Sequence, residues 1–297
     1  MRVLILGGSG MLGHKLWQTF APRFDTYVTF RGSADRYTGA RLFNPERSIS
    51  GVSAQDVDSL KRTFSVVRPE VVVNCIGIVK QKTEANDPIA SIAVNALFPH
   101  QLAQLCGGQG VRLIQLSTDC VFSGRKGNYS ETDTPDAEDL YGRTKLLGEV
   151  EGANCLTVRT SMIGRELSSA DGLVEWFLAQ EGQRVRGFKR AVFSGFTTQA
   201  LAGLLARIIS EYPELSGVWH VGAVPINKFD LLSLIRDIYE LNVEIEPDES
   251  FNCDRSLDGA RFREITGFTP SSWPEMNRRM RDDSTLYNEL RSINADR

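Results

Sequence analysis

The first thirteen residues constrain the fold more than any other stretch. Val3-Leu4-Ile5-Leu6 is an unbroken apolar run, suited to a strand buried on both faces, and Gly7-Gly8-Ser9-Gly10-Met11-Leu12-Gly13 follows it at once. Beyond the glycines, Leu12, Leu16, Trp17 and Phe20 recur at helical spacing. Strand, glycine turn and helix in that order put the free N–H groups of a helix start where a phosphate can meet them. The glycines fit both Gly8-x-Gly10-x-x-Gly13 and Gly7-x-x-Gly10-x-x-Gly13, so the turn reads as a dinucleotide-type phosphate site without choosing between the two templates.

Further along, apolar runs at Val71 to Ile76, Leu113 to Leu116 and Leu156 to Val158 alternate with helical patterns from Ile89 to Leu105 and from Tyr141 to Val150. Repeated βαβ units predict an α/β fold, a doubly wound parallel Rossmann-type sheet with ligands at the carboxyl ends of its strands. Gly77 ends one strand and Ser117-Thr118 ends the next, so both should face the crevice that holds the glycine turn. The polar stretch from Ser123 to Asp139 has the length of a flap beside the site. The second strand, Thr26 to Phe30, ends in Arg31, where a carboxylate would otherwise grip both ribose hydroxyls. An arginine there suits a 2′-phosphate, with Arg36 as a helper, and this favours NADP(H) over NAD(H).

A chain of 297 residues can bury a full α/β core and carry a second, smaller lobe. Its net charge of −3 exerts no general pull on nucleic acid or an anionic membrane. No apolar run approaches the ~20 residues of a membrane span, so a cytoplasmic location is expected. Five cysteines (Cys75, Cys106, Cys120, Cys155, Cys253) form no C-x-x-C, and the three histidines (His14, His100, His220) share no i, i+4 spacing. These patterns argue against a disulfide framework, a metal centre or a Ser-His-Asp triad.

The stretch that carries chemistry is Tyr141-Gly-Arg-Thr-Lys145. A phenol and an ammonium four residues apart project from one helical face. The cation is expected to hold the phenol below its ordinary pKa of ~10 and to make it a general acid or base.

Taken together, these residues resemble the extended short-chain dehydrogenase/reductases, and within that group the chain is similar to the dTDP-4-dehydrorhamnose reductase family. The resemblance rests on Gly7-x-x-Gly10-x-x-Gly13, Asn95, Ser117-Thr118-Asp119-Cys120-Val121-Phe122-Ser123-Gly124, Tyr141 to Glu149 and Arg159-Thr-Ser161. Thr197-Thr198-x-x-Leu201-Ala202 and Gly217-Val-Trp-His-Val221 follow in the family's order. The resemblance implies an NADPH-dependent reductase of the 4-keto group of a nucleotide-linked 6-deoxy sugar, or of an N-acetylamino-dideoxy sugar, in polysaccharide precursor synthesis. Tyr141 would give the proton, Lys145 would bind the nicotinamide ribose and lower the tyrosine's pKa, and Thr118 would hydrogen-bond the carbonyl oxygen. Gly7, Ser9, Gly10, Met11, Leu12 and Arg31 would meet the cofactor's phosphates. Cys75, Ile76, Gly77, Asn95, Ser117, Lys145 and Ser161 would complete its binding face.

For the substrate, Lys80, Thr118, Asp119, Cys120, Arg186 and Arg255 are the candidates, with Lys82, Arg184, Lys189 and Arg190 as further cations for a diphosphate. Residues 1–163 with 196–222 would form the NADP-binding domain, and 164–195 with 223–297 a substrate-binding lobe. Leu173, Trp176, Phe177 and Leu178 read as core, and the charged end from Arg278 to Arg297 as a surface helix without an assigned role. A homodimer and a Mg²⁺ requirement stay open, and no residue identifies a metal site.

Three departures from the family pattern narrow the expectation. Cys120 replaces the usual Tyr, and the sugar-nucleotide dehydratases carry Asp-Glu where this chain has Asp119-Cys120, so water elimination lacks its second carboxylate. Met162 stands where a Trp usually faces the sugar, and Ser53 where an Asp touches adenine. Two other readings remain, an NAD-dependent nucleotide-sugar epimerase and a dinucleotide-binding regulatory subunit without chemistry.

Overall fold

The computed structural model describes residues 1–80 and 83–295. The strands among them are β1 (Arg2–Leu6), β2 (Asp25–Thr29), β3 (Ser48–Ile49), β4 (Val71–Asn74), β5 (Arg112–Leu116), β6 (Cys155–Arg159), β7 (Met162–Ile163), β8 (Arg184–Phe193), β9 (Phe196–Thr197), β10 (Gly217–His220), β11 (Ile226–Asn227) and β12 (Glu244–Asp254). Seven of them form a sheet in the order β10-β6-β5-β4-β1-β2-β3, with every neighbouring pair parallel. The order reverses between β1 and β4, which opens a crevice beyond their carboxyl ends.

Alternation along each strand explains why the apolar runs are unbroken. Val3 and Ile5 of β1 face one buried cluster, against Leu16 and Phe20 of the helix Gly13–Phe20 and Leu201, Leu205 and Ile208 of the helix Thr198–Glu211. Leu4 and Leu6 face the other, against Leu60 and Phe64 of the helix Val57–Val67 and Phe98 and Leu102 of the helix Phe98–Gly107. Helices on both faces remove the solvated side that would demand polar alternation. The chain comes back after β9 to lay the helix Thr198–Glu211 on the first helix and β10 beside β6.

A smaller sheet has β8 at its centre, antiparallel to β11 and parallel to β12. Its outer face is a ladder of ion pairs. Arg184 meets Glu244 and Glu246, Arg186 meets Asp248 at 3.1 Å, and Arg190 meets Glu249 at 3.0 Å.

Three expectations need correction. The charged C-terminus is not one surface helix: the helix Trp273–Arg281 ends, Asp283 and Thr285 both bond the buried Lys15 of the first helix, and a second helix, Tyr287–Ala295, follows. Asp296 and Arg297 lie outside the described residues. The 123–139 stretch is pinned rather than free as a flap would be. Tyr129 is buried, stacks on Phe122 at 4.1 Å, bridges to Leu257, and accepts the N–H groups of Gly124 and Lys126 on its hydroxyl. Trp176, read as core, is 39% exposed, while Phe177 beside it is fully buried.

Candidate active site

The glycine turn is shaped by its own close contacts. Gly7 adopts φ +88°, and a Cβ on Gly13 would lie 2.1 Å from the Gly7 carbonyl oxygen, so the helix can start tight against the strand only if both positions lack a side chain. Gly7 and Gly8 N–H are taken by the Thr29 hydroxyl and carbonyl, and Gly10 N–H by Gly7. The N–H groups of Ser9, Met11 and Leu12 have no acceptor among the described residues. Three free donors heading a helix fit a phosphate group. Cys75, Ile76 and Gly77 adjoin this turn, since Cys75 N–H bonds Leu6 O and a Cβ on Gly7 would meet Ile76 at 3.2 Å. Arg31 is exposed just past β2. The side chain of Arg36, its expected helper, lies outside the described residues.

Thr118 acts on the Tyr141 phenol, and Lys145 follows Tyr141 one helical turn on. Thr118 ends the loop after β5, caps the turn Asp119–Val121 by accepting Cys120 N–H at 3.1 Å, and donates to Asp119 Oδ1 at 3.2 Å. Tyr141 and Lys145 lie on the helix Leu140–Leu147, whose N-cap Asp139 accepts Gly142 N–H at 2.7 Å. A Cβ on Gly142 would sit 2.2 Å from the Cys120 carbonyl oxygen, so the glycine after the tyrosine is what lets this helix touch the Thr118 turn.

The electrostatics correct the sequence reading of the tyrosine. Burial raises the Tyr141 phenol above its ordinary value, Cys120 and the carboxylates Asp119 and Asp139 add to the rise, and the Thr118 hydroxyl opposes it. Lys145 is tied to the sheet. Its ammonium donates to Leu116 O at 2.6 Å and faces Glu149 and Cys75, and burial lowers its pKa to about 8. Burial thus favours the neutral phenol at Tyr141.

Other expected contacts are differently engaged. The Asn95 carboxamide spends both ends on the Ile78 backbone at 2.9 Å, within a π-helical turn Ile92–Leu97, and so ties helix to loop. The Ser117 hydroxyl bonds Glu149 at 2.6 Å. Glu149 in turn holds the buried Arg159, whose Nη1 donates to His220 Nε2. Ser161, just before β7, is partly buried and accepts Phe196 N–H on its carbonyl.

On the substrate side, Cys120 and Arg255 meet, with Arg255 Nη1 3.7 Å from the sulfur and Nε donating to Phe122 O at 2.9 Å. Burial pushes the Cys120 thiol up to about 12 and raises the Asp119 carboxyl. Lys80 pairs with Asp139 at 2.6 Å, and Lys82 lies outside the described residues. Arg186 is not a free cation for a diphosphate, because Asp248 neutralises it on the outer face of the smaller sheet. Two residues escaped the sequence reading. Lys228, after β11, faces Asp119 and Cys120 electrostatically, and His14 bonds the carbonyl of Gly10 at 2.8 Å. Neither has a local signature.

Residues 1–281 match the family model described as RmlD substrate binding domain. The chain belongs to that family. The dTDP-4-dehydrorhamnose reductase of Streptomyces griseus is 34% identical over 149 residues, 50% of this chain and 43% of the relative. Methionine adenosyltransferase 2 subunit beta of Rattus norvegicus is 29% identical over 148 residues, 50% of this chain and 41% of that protein. The chain thus spans less than half the length of these curated relatives. Among solved structures, the dTDP-4-dehydrorhamnose reductase of Bacillus anthracis in complex with NADP superposes with a TM-score of 0.77, covering 94% of this chain and 98% of that one at 19% identity, a likeness of fold.

Proposed function

We propose that this chain is an NADPH-dependent reductase of the 4-keto group of a nucleotide-linked 6-deoxy or N-acetylamino-dideoxy sugar, serving polysaccharide precursor synthesis. The observation that carries the reading is Thr118 acting on the Tyr141 phenol, with the buried ammonium of Lys145 one helical turn on, beyond the same strand ends as three free N–H groups. When bound, NADPH would supply the hydride to the carbonyl carbon. Thr118 would donate a hydrogen bond to the keto oxygen as negative charge develops, and the neutral Tyr141 would pass its proton to that oxygen. Ser9, Met11 and Leu12 would hold a phosphate through backbone N–H groups, with Lys145 on the nicotinamide ribose. Arg31, exposed at the end of β2, supports NADP(H) over NAD(H).

The neutral Cys120 thiol leaves Asp119 as the lone carboxyl after Thr118, which supports reduction over water elimination. The likeness to methionine adenosyltransferase 2 subunit beta favours a second reading, a dinucleotide-binding regulatory subunit. A panel of nucleotide-linked 4-keto sugars, followed by NADPH absorbance and product stereochemistry, separates the two. Stoichiometric oxidation with one sugar epimer formed supports the reductase. NADPH binding without turnover on any panel member refutes it.

A further inference from the structure

Besides the groups already assigned, the smaller lobe brings a cation against the Thr118 turn. Lys228 is the first residue of the helix Lys228–Tyr239, which starts directly after β11 and is capped by Asn227 accepting Asp230 N–H at 2.8 Å. β11 is held in register on β8, with Ile226 opposite Phe193, and this fixes where Lys228 emerges. Its ammonium lies 4.0 Å from the centroid of the buried Phe193 ring and within electrostatic reach of Asp119, Cys120 and Cys253. Among the described residues it makes no hydrogen bond and no ion pair.

Charge around the turn is unbalanced. Lys80 answers Asp139 at 2.6 Å, and Asp119 is left facing both Lys228 and Arg255. Three cations thus surround two carboxylates, and the ammonium has donors to spare. A partly buried ammonium without an acceptor is costly unless a bound group supplies one. Asn227, next to Lys228, pairs with Val192, whose carbonyl accepts Arg255 N–H at 2.9 Å, and Arg255 reaches the Cys120 sulfur, so the part of a substrate that meets Lys228 lies beside the Thr118 turn.

We propose that Lys228 is a specificity-determining substrate contact, donating to an oxygen-bearing substituent of the sugar ring next to the keto carbon. This deepens the reductase reading and rests on it. The Phe193 ring holds the ammonium over its face, and Arg255 braces the turn through Phe122 O and the Cys120 sulfur.

The test compares the wild type with Lys228→Met, which keeps an unbranched stem over Phe193, and Lys228→Arg. For a nucleotide-linked 4-keto sugar that the wild type reduces, Lys228→Met should lower kcat/KM by about 10- to 100-fold, the loss expected for a hydrogen bond from a charged donor. KM should carry most of it. NADPH affinity and inhibition by the bare nucleoside diphosphate should stay within about twofold, and Lys228→Arg should recover part of the loss. If nucleoside diphosphate inhibition weakens as much as KM rises, Lys228 serves the diphosphate and the sugar assignment falls. Unchanged kcat/KM also overturns it. If the wild type reduces no panel member, the reductase reading fails separately. Calorimetry with an unreacting nucleotide sugar against the bare diphosphate then decides the Lys228 assignment, equal losses or no loss counting against it.

Discussion

At the scale of single residues, two groups of the proposed site are shifted in opposite directions. Tyr141 is raised by burial and Lys145 is lowered to about 8, so the phenol stays protonated while the lysine discharges as the solution turns alkaline. We expect kcat/KM to be level near neutrality and to fall above pH about 8, and a profile of initial rates checks this. Lys145→Met should flatten the break at a low rate. Tyr141→Phe should cut turnover by about 10²- to 10⁴-fold and leave NADPH binding nearly unchanged, because only the proton donor is lost. Fluorescence titration of NADPH beside steady-state rates tests both halves. Arg31→Asp should weaken NADPH by about tenfold or more and NADH far less, and equal losses would remove the 2′-phosphate assignment.

At the scale of elements, the first helix is clamped by the C-terminal segment. Lys15, 2% exposed, pairs with Asp283 and also donates to Gln18 and Thr285. His14 donates its Nδ1–H to Gly10 O, and its Nε2 lies 3.1 Å from the Tyr287 hydroxyl. The hold on Gly10 connects the C-terminus to the phosphate turn. Asp283→Ala strands a buried ammonium, so it should cost about 3–5 kcal/mol in urea unfolding and should also raise the KM for NADPH. The histidine adds a pH dependence. Burial lowers it from 6.5 to about 3, so below pH 6.5 the unfolded chain takes up a proton that the folded one refuses. Stability should therefore fall as pH drops through this window, by about 3 kcal/mol at pH 4 from this group alone. His14→Gln should show a shallower fall over the same window.

At the scale of the whole molecule, the parallel sheet and the smaller sheet meet at the carboxyl ends of the strands. The proposed cofactor contacts belong to the first, and Lys228 and Arg255 follow strands of the second. A ligand that binds only the folded chain stabilises it by mass action, about 2.7 kcal/mol at a hundredfold excess over Kd. NADPH should raise the unfolding midpoint more than NADH at equal concentration, and a thermal melt with each measures the difference.

The sequence by itself determined the first strand, the glycine turn, the parallel sheet and the placing of Tyr141 and Lys145 one turn apart on one helix. Those features are written in short-range patterns, namely unbroken apolar runs, glycines at fixed offsets and a four-residue helical spacing. Tertiary structure alone decided the direction in which Tyr141 is shifted, because a pKa depends on burial and on charges brought from other elements, and burial is the largest influence there. It likewise decided that Arg186 pairs with Asp248 while Lys228 makes no hydrogen bond or ion pair among the described residues. Cations look alike along a chain, and only the pairing of β8 with β12 and β11 determines which of them meets a carboxylate and which meets the cleft.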